Sequence, residues 1–433
     1  MITDIKYLQT RISIFIIFAI VFLSIPVLSQ DTSVVDRYGT LSVAGNKIVD
    51  RNGRPVILRG MSLFWSQWSE GSKYYNYDCV KWLRDDWNCT VVRAAMGIEG
   101  GGYLTNPAFE KAKVKTVIDA CIDLGIYVII DWHDHYAQRH RSSAISFFEE
   151  IAAEYGDQPN IIYEIYNEPV GSISWADSVK PYADSVVQHI RAIDPDNLIL
   201  VGSPNWSQDV DVAAINPLLY SNIAYTLHFY AANHKQLYRN KAIAALNKNV
   251  ALFVSEFGTC ETNGSGVFDS LETVTWMNFM NTNSISWCNW SISDKNETAS
   301  ALVSGANAAG GWPTSDLTRS GYFIRDRIKE ENAPKLNGVT TNSGIPVKFK
   351  LSQNYPNPFN PATTIRYELP VKSFVSMKIF DLLGREITTL VNEIKPEGIY
   401  NIKFNGSALP SGIYICRLQA GNSAAVGKLI LVK

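Results

Sequence analysis

Short runs rich in Val, Ile and Tyr recur along the first 330 residues, beginning at Val56, Thr90, Ile126, Ile161, Leu198, Ile223, Ala251 and Ser284. Between them lie stretches whose apolar residues repeat at helical spacing. In residues 107–125, for example, Val114, Val117, Ile118, Cys121 and Ile122 share one face. Eight strands separated by helical intervals predict an α/β fold, a parallel (β/α)8 barrel, in preference to a doubly wound open sheet. Ahead of the first strand, "LSVAGNKIVDRNGRPVILRG" predicts a hairpin turned at Asn52-Gly53 that covers the lower mouth of the barrel.

The pattern changes at both ends. Lys6 and Arg11 precede a nearly continuous apolar run from Ile12 to Ile25, then Pro26 and the small Ser29. That order predicts an export signal over residues 1–29, because the run is shorter than the ~20 residues that span a bilayer. After the helical "SGYFIRDRIK", residues 331–344 are polar and turn-rich and read as a linker. From 345 to 433, alternating strands split by Pro, Gly and Asn predict a small β-sandwich. The expected layout is thus a signal at 1–29, a barrel at 34–330, a linker at 331–344 and a β-sandwich at 345–433.

Charge narrows the partners. The 39 basic and 41 acidic residues give a net charge of −2, and no dense basic run offers a footprint for nucleic acid. Eleven Trp and 21 Tyr suit stacking on flat apolar faces such as sugar rings. The six cysteines form no CxxC spacing, so one disulfide at most is expected, between Cys79 and Cys89.

In such a barrel the reactive groups sit where the strands run out at their C-terminal ends. There the sequence places Arg93 after the second strand, His133 after the third, and Asn167 and Glu168 after the fourth. His228 and Tyr230 follow the sixth, Glu256 the seventh and Trp290 the eighth. Two carboxylates from nearly opposite strands, with aromatic walls and neither a metal cluster nor a cofactor motif, fit hydrolysis of a glycosidic bond. Arg93 is expected to keep Glu256 ionised as the nucleophile, while burial and the charge of Glu256 raise the pKa of Glu168, the acid. Asn167 is expected on the sugar 2-hydroxyl, with Pro169 fixing the backbone beyond the acid. His135, His140 and His234 read as surface histidines, Asp131 as a packing or hydrogen-bonding residue. Trp65, Trp175, Trp206 and Trp312 are each either cleft platforms or core.

The segments "IYEIYNEP", "VVRAAM", "IIDWH", "TLHFY", "FVSEFG" and "WCNWSISDKNE" together resemble glycoside hydrolase family 5, most closely its endo-β-1,4-glucanases, over roughly residues 38 to 330. The resemblance implies a retaining double displacement with Glu168 as acid/base and Glu256 as nucleophile. It places Arg93, His133, Asn167, His228, Tyr230 and Trp290 at the remaining active-site positions, as substrate-binding residues. "GMSLFWSQW" adds Trp68, and "SDKNE" adds Lys295 and Glu297 for sugar hydroxyls. Phe64 stands where many relatives have His, and Gly97 where they have Tyr, so the glycone side of the cleft is expected to be lined differently. Mannan, xylan, xyloglucan or mixed-linkage glucan could replace cellulose, and a non-catalytic glycan-binding surface protein is the reading from another class. "YPNPFNP", "DLLGRE" and "LPSGIYICRL" resemble the C-terminal type A sorting domain of the type IX secretion system. That resemblance implies a Gram-negative host, the type IX machinery as a partner, and release from the cell or retention on its surface. A monomer is expected.

Overall fold

The computed structural model of the protein describes residues 32–333, 349–421 and 423–433. The export signal expected at 1–29 lies outside them, as does the expected linker from residue 334 on. Among the described residues no helix is long and apolar enough to cross a membrane.

The chain enters the barrel through a short hairpin, β1 (Ser42–Ala44) and β2 (Lys47–Val49). The turn of this hairpin is at Gly45-Asn46, not at the expected Asn52-Gly53. Asn52-Gly53 forms a second turn, closed by the Val49–Pro55 bridge and by Asp50 Oδ1, which accepts from the backbone of Asn52 and Arg54. Gly45 and Gly53 both have positive φ, as both turns require, and the side-chain bonds of Asp50 brace the second.

Eight staves follow: β3 (Arg59–Leu63), β4 (Val91–Gly97), β5 (Tyr127–His133), β6 (Ile161–Glu164), β7 (Leu198–Gly202), a sixth stave split into β8 (Ile223–Thr226) and β9 (Phe229–Tyr230), β10 (Leu252–Gly258) and β11 (Ser286–Ile292). Neighbours pair in parallel, and β11 pairs back onto β3 to close the barrel. Side chains alternate across each strand. Val92, Ala94, Val128, Ile130, Tyr163, Ile199 and Val254 pack outward in one core with the helices. Val91, Ile129, Ile162, Leu200, Ala224, Phe253 and Cys288 fill the lower half of the interior, joined there by Leu41, Ile48, Val56 and Leu58 from the entry segment. The helix Pro107–Leu124 shows why the intervals are helical. Pro107 supplies a fixed φ at its start, Val114, Val117, Ile118 and Cys121 are buried, and Gly125 ends it in the left-handed conformation.

Cys79 and Cys89 do not form the expected disulfide; all six cysteines are buried free thiols. Cys79 lies on the buried face of the helix Tyr77–Asp85, and Cys89 is carried just ahead of β4, so each serves as a small apolar core residue.

The named strands of the C-terminal region pair antiparallel. One sheet orders β12 (Lys350–Leu351), β13 (Ala362–Leu369) and β16 (Gly398–Asn405). The other orders β15 (Glu386–Lys395), β14 (Ser373–Phe380), β17 (Gly412–Ala420) and β18 (Ser423–Leu431). Ile365, Tyr367 and Leu369 from the first sheet and Val375, Met377, Ile379 and Leu418 from the second share one core, as a β-sandwich requires.

Candidate active site

The polar residues at the strand ends come together at one rim. β6 stops at Glu164, but Ile165 N–H still donates to Leu200 and Asn167 N–H to Trp132. The chain therefore runs on past the sheet and delivers Asn167 and Glu168 to the opening. The sixth stave breaks at Leu227-His228, where His228 N–H donates to Ser207 O at 2.7 Å instead of to a neighbouring strand. That break turns His228 toward Glu168.

Glu256, on β10, accepts from Arg93 Nη1 at Oε2 and from the Tyr230 hydroxyl at Oε1, both at 3.0 Å. Arg93 was expected to touch the substrate, but it is fully buried. Its guanidinium is consumed by Glu164 at 2.7 Å, Asp131 at 2.9 Å, Asn167 Oδ1 at 2.7 Å and Glu256. One cation against three carboxylates cannot neutralise all of them. Burial, and then the charge of Glu168, raise the pKa of Glu256 despite His228 and Arg93.

Glu168 is only partly buried and is held at both oxygens. Oε1 lies 3.0 Å from His228 Nδ1 and Oε2 lies 3.4 Å from His135 Nε2. Burial alone would raise its pKa; the two histidines outweigh that and pull it down to about 2. For His228, burial is outweighed in turn by Glu164 and Glu168, which lift it to about 9. Both shifts favour the pair with its proton on His228. The expected order, with Glu168 raised and Glu256 lowered, is thus reversed, because His135 and His228 both contact Glu168 while Arg93 is shared among three carboxylates.

One wall of the cleft is aromatic. His133 Nδ1 lies 2.6 Å from Asp131 Oδ2, and burial holds the pKa of the ring well below its usual value. It stacks on Trp290 at 5.2 Å and 3°, with the edge of Trp65 at 4.1 Å. Trp68 is 47% exposed beside this wall. Lys295 and Glu297 pair at 2.6 Å, with the Lys295 ammonium 5.5 Å from the centre of the Phe64 ring. Phe64 in turn packs on Trp290. Gly97 has a local reason: a Cβ there would lie 1.6 Å from Gln67 Oε1, so the carboxamide of Gln67 takes the space that a side chain at 97 would need.

On the far side of Glu168 a cavity of about 530 Å³ is lined by Asn205, Trp206, Gln208, His228, Tyr230 and His234. Asn205, Trp206 and Ser207 all have positive φ, costing roughly 1–2 kcal/mol each, and the turn leaves Trp206 42% exposed at the cavity edge. Trp175 and Trp312, by contrast, are buried core residues. Of the three histidines read as surface residues, His135 and His140 are partly exposed and only His234 is buried. His135 faces Glu168, His140 Nδ1 lies 2.7 Å from Asp134, and His234 is buried, accepting from Tyr230 N–H at 3.0 Å.

Sequence reasoning missed Glu164, Ser255 and His135. Glu164 and Ser255 are fully buried one inward step above Ile162 and Phe253. A period-two reading of the strands would have found them, since a polar residue at an inward position of a buried strand needs a partner. Glu168, His228 and Glu256 each offer a ligand atom within 4.8 Å of the others, a donor set that could suit a cation. Every such atom already has a protein partner.

Residues 49–296 match the cellulase model of glycosyl hydrolase family 5, and residues 353–433 match a secretion system C-terminal sorting domain. An endoglucanase of Clostridium saccharobutylicum is 47% identical over 306 residues, 70% of this chain and 68% of that protein. Endoglucanase Z of Dickeya dadantii is 50% identical over 293 residues, 67% of this chain and 66% of that protein. A solved structure from Cytophaga hutchinsonii is 55% identical with a TM-score of 0.69, covering 70% of this chain and 98% of its own. The chain thus spans about two thirds of the length of these curated relatives. A tail of the sorting type directs its protein through type IX secretion to the cell surface or the extracellular space. A closed eight-stave barrel with paired rim carboxylates, matched over its length by the cellulase model, makes this chain a member of glycosyl hydrolase family 5.

Proposed function

We propose that the protein is an exported endo-β-1,4-glucanase that cuts internal bonds of cellulose or a related β-glucan with retention of configuration. The observation that carries this reading is the spacing of the carboxylates: one oxygen of Glu168 lies within 4.8 Å of one oxygen of Glu256. Retaining pairs stand ~5–5.5 Å apart, whereas inverting pairs leave ~6.5–9.5 Å for a water. Glu256 attacks the anomeric carbon while Glu168 protonates the departing glycosidic oxygen, giving a covalent glycosyl ester on Glu256. Glu168 then takes a proton from water, which attacks the same carbon and releases the sugar with its configuration kept.

Arg93 and Tyr230 hold the oxygens of Glu256 and stabilise the carboxylate that departs in the second step. Asn167 Nδ2 is buried without a partner among the described residues and is offered to the sugar 2-hydroxyl. His133, Trp68, Trp290, Lys295 and Glu297 bind the glycone side, His228 supports Glu168, and Trp206 serves the aglycone side. The barrel is assigned to 34–330 and the sorting β-sandwich to 345–433, with the signal at 1–29 removed on export.

The test is reducing-end release by the purified protein on carboxymethyl-cellulose, mannan, xylan, xyloglucan and mixed-linkage glucan. The expected result is the highest rate on β-1,4-glucan with a rapid fall in viscosity. A clear preference for mannan or xylan would reassign the substrate, and a folded protein silent on all five would defeat the enzymatic reading.

A further inference from the structure

Outside the cleft, one ion pair is spent on a single residue of the loop that carries the aromatic wall. Glu110 and Lys113 stand one turn apart near the start of the helix Pro107–Leu124, with Lys113 Nζ 2.8 Å from Glu110 Oε1. Glu110 is 1% exposed and the Lys113 side chain 11%. In a parallel barrel the helix after a strand starts at the rim where that strand ends, so the pair is carried to the level of the cleft without entering it. The Lys113 ammonium also lies 4.5 Å from the centre of the Phe109 ring, a cation–π contact.

Both charges direct their remaining bonds to Ser66, which is fully buried just past the end of β3. Ser66 Oγ donates to Glu110 Oε2 and accepts from Gly97 N–H at 3.0 Å. Its carbonyl accepts from the Lys113 ammonium, and its N–H donates to Ala95 O at 3.1 Å. Every polar atom of Ser66 therefore has a partner, and so does each oxygen of Glu110. Lys113 also reaches Ser72 Oγ at 3.5 Å, and Ser72 N–H donates to Trp68 O at 2.8 Å. One ammonium thus holds the chain on both sides of Trp68. That ring is 47% exposed, so its position is set by the backbone beneath it and not by packing on every side. Trp65, on the other side of Ser66, presents its edge to His133.

An ion pair withdrawn from water is costly unless further hydrogen bonds satisfy its free valences. Here those bonds run to one loop residue, so the dependence works in both directions. Without the pair, the Ser66 hydroxyl and carbonyl lose their buried partners, and the loop must shift to regain them, taking Trp65 and Trp68 with it. We propose that Glu110 and Lys113 are positioning residues for the glycone side of the cleft: acting through Ser66, they fix Trp65 and Trp68 where the sugar chain is received. The inference rests on the assignment of that side to the glycone. It makes substrate affinity depend on a pair that no sugar touches. Glu168 and Glu256 stand on other strands, so the effect falls on KM and spares kcat.

Two measurements on the full-length protein test this. The first is steady-state kinetics of Lys113→Met on cellohexaose. Should the single variant not fold, Glu110→Gln/Lys113→Met takes its place, since it removes both charges at nearly constant volume. KM should rise about tenfold while kcat stays within about twofold of the parent. Lys113→Arg, which keeps donors for Ser66 O and Glu110, should recover most of the loss. A merely structural pair would lower the melting temperature and the active fraction with KM unchanged, and that result would overturn the proposal. The second measurement needs no substrate: 19F NMR of the protein labelled with 5-fluorotryptophan, its lines assigned through Trp65→Phe and Trp68→Phe. In Lys113→Met the lines of Trp65 and Trp68 should shift or split while those of the fully buried Trp276 and Trp287 stay in place. Unmoved lines of Trp65 and Trp68 would overturn the proposal whatever the substrate. A parent protein silent on every glucan would defeat the glucanase reading instead, and the 19F lines would then decide the positioning role alone.

Discussion

The lower and upper halves of the barrel interior are built from the same strands, two residues apart. Val91, Ile129, Ile162 and Phe253 lie in the lower, apolar half. One inward step up, the same strands carry Arg93, Asp131, Glu164 and Ser255, all fully buried. The lower half is stabilised by removing apolar surface from water and tolerates no water. The upper half takes charges out of water and holds them only because each has a partner. Stability and chemistry are therefore separable by layer. The apolar floor gives the rigid, dry base on which a carboxylate network can be kept at hydrogen-bonding distances.

Substitutions can break that separation or sharpen it. The largest effect is expected for Glu256→Gln, which keeps the shape of the upper layer and removes the proposed nucleophile. Turnover should fall on the order of 10⁴-fold or more with the melting temperature nearly unchanged. Next is Glu168→Ala, expected to lower turnover of a natural glucan by about 10²–10⁴-fold and of an activated aryl glycoside much less. A floor substitution should do the reverse. Ile129→Ala should cost about 2–5 kcal/mol in denaturant unfolding while kcat of the folded fraction stays near that of the parent. A large loss of kcat there would show that the layers are coupled.

The smallest effect is the dependence of stability on pH. His228, lifted from 6.5 to about 9, contributes stability that is complete below pH 6.5 and is lost as pH rises through 9. Glu168, lowered from 4.5 to about 2, contributes stability present above pH 4.5 and lost as pH falls toward 2. The raised pKa of Glu256 works against them above pH 4.5. Unfolding free energy should therefore be highest near about pH 5 and decline on both sides, and His228→Asn should flatten the alkaline decline.

Much of this was legible in the sequence where one local rule governs. Strand periodicity and helical spacing revealed the eight staves, and the rule that strand ends carry the chemistry brought Asn167, Glu168, His228, Tyr230 and Glu256 to one rim. Legibility ended where a long-range contact decides. Gly45-Asn46 and Asn52-Gly53 are both turns, and the bonds of Asp50 brace the second. The proximity of Cys79 and Cys89 in sequence suggested a bridge, but neither thiol leaves the core. The ionisation order failed for the same reason: it depends on His135, which sits two residues past His133 and reaches Glu168 only through the folded loop. Arg93 was correctly set beside Glu256, yet its complete burial under the site is a property of the barrel and not of its neighbours in sequence.

The proposed mechanism stands or falls on the attack of Glu256 on the sugar carbon. The most direct measurement is to incubate the protein with a 2-deoxy-2-fluoro-cellobioside bearing an activated leaving group, digest it, and locate the added mass by tandem mass spectrometry. The expected result is a single glycosyl ester on Glu256, formed with loss of activity and reversed by a sugar acceptor. A label on another residue, or inactivation without any covalent adduct, would contradict it.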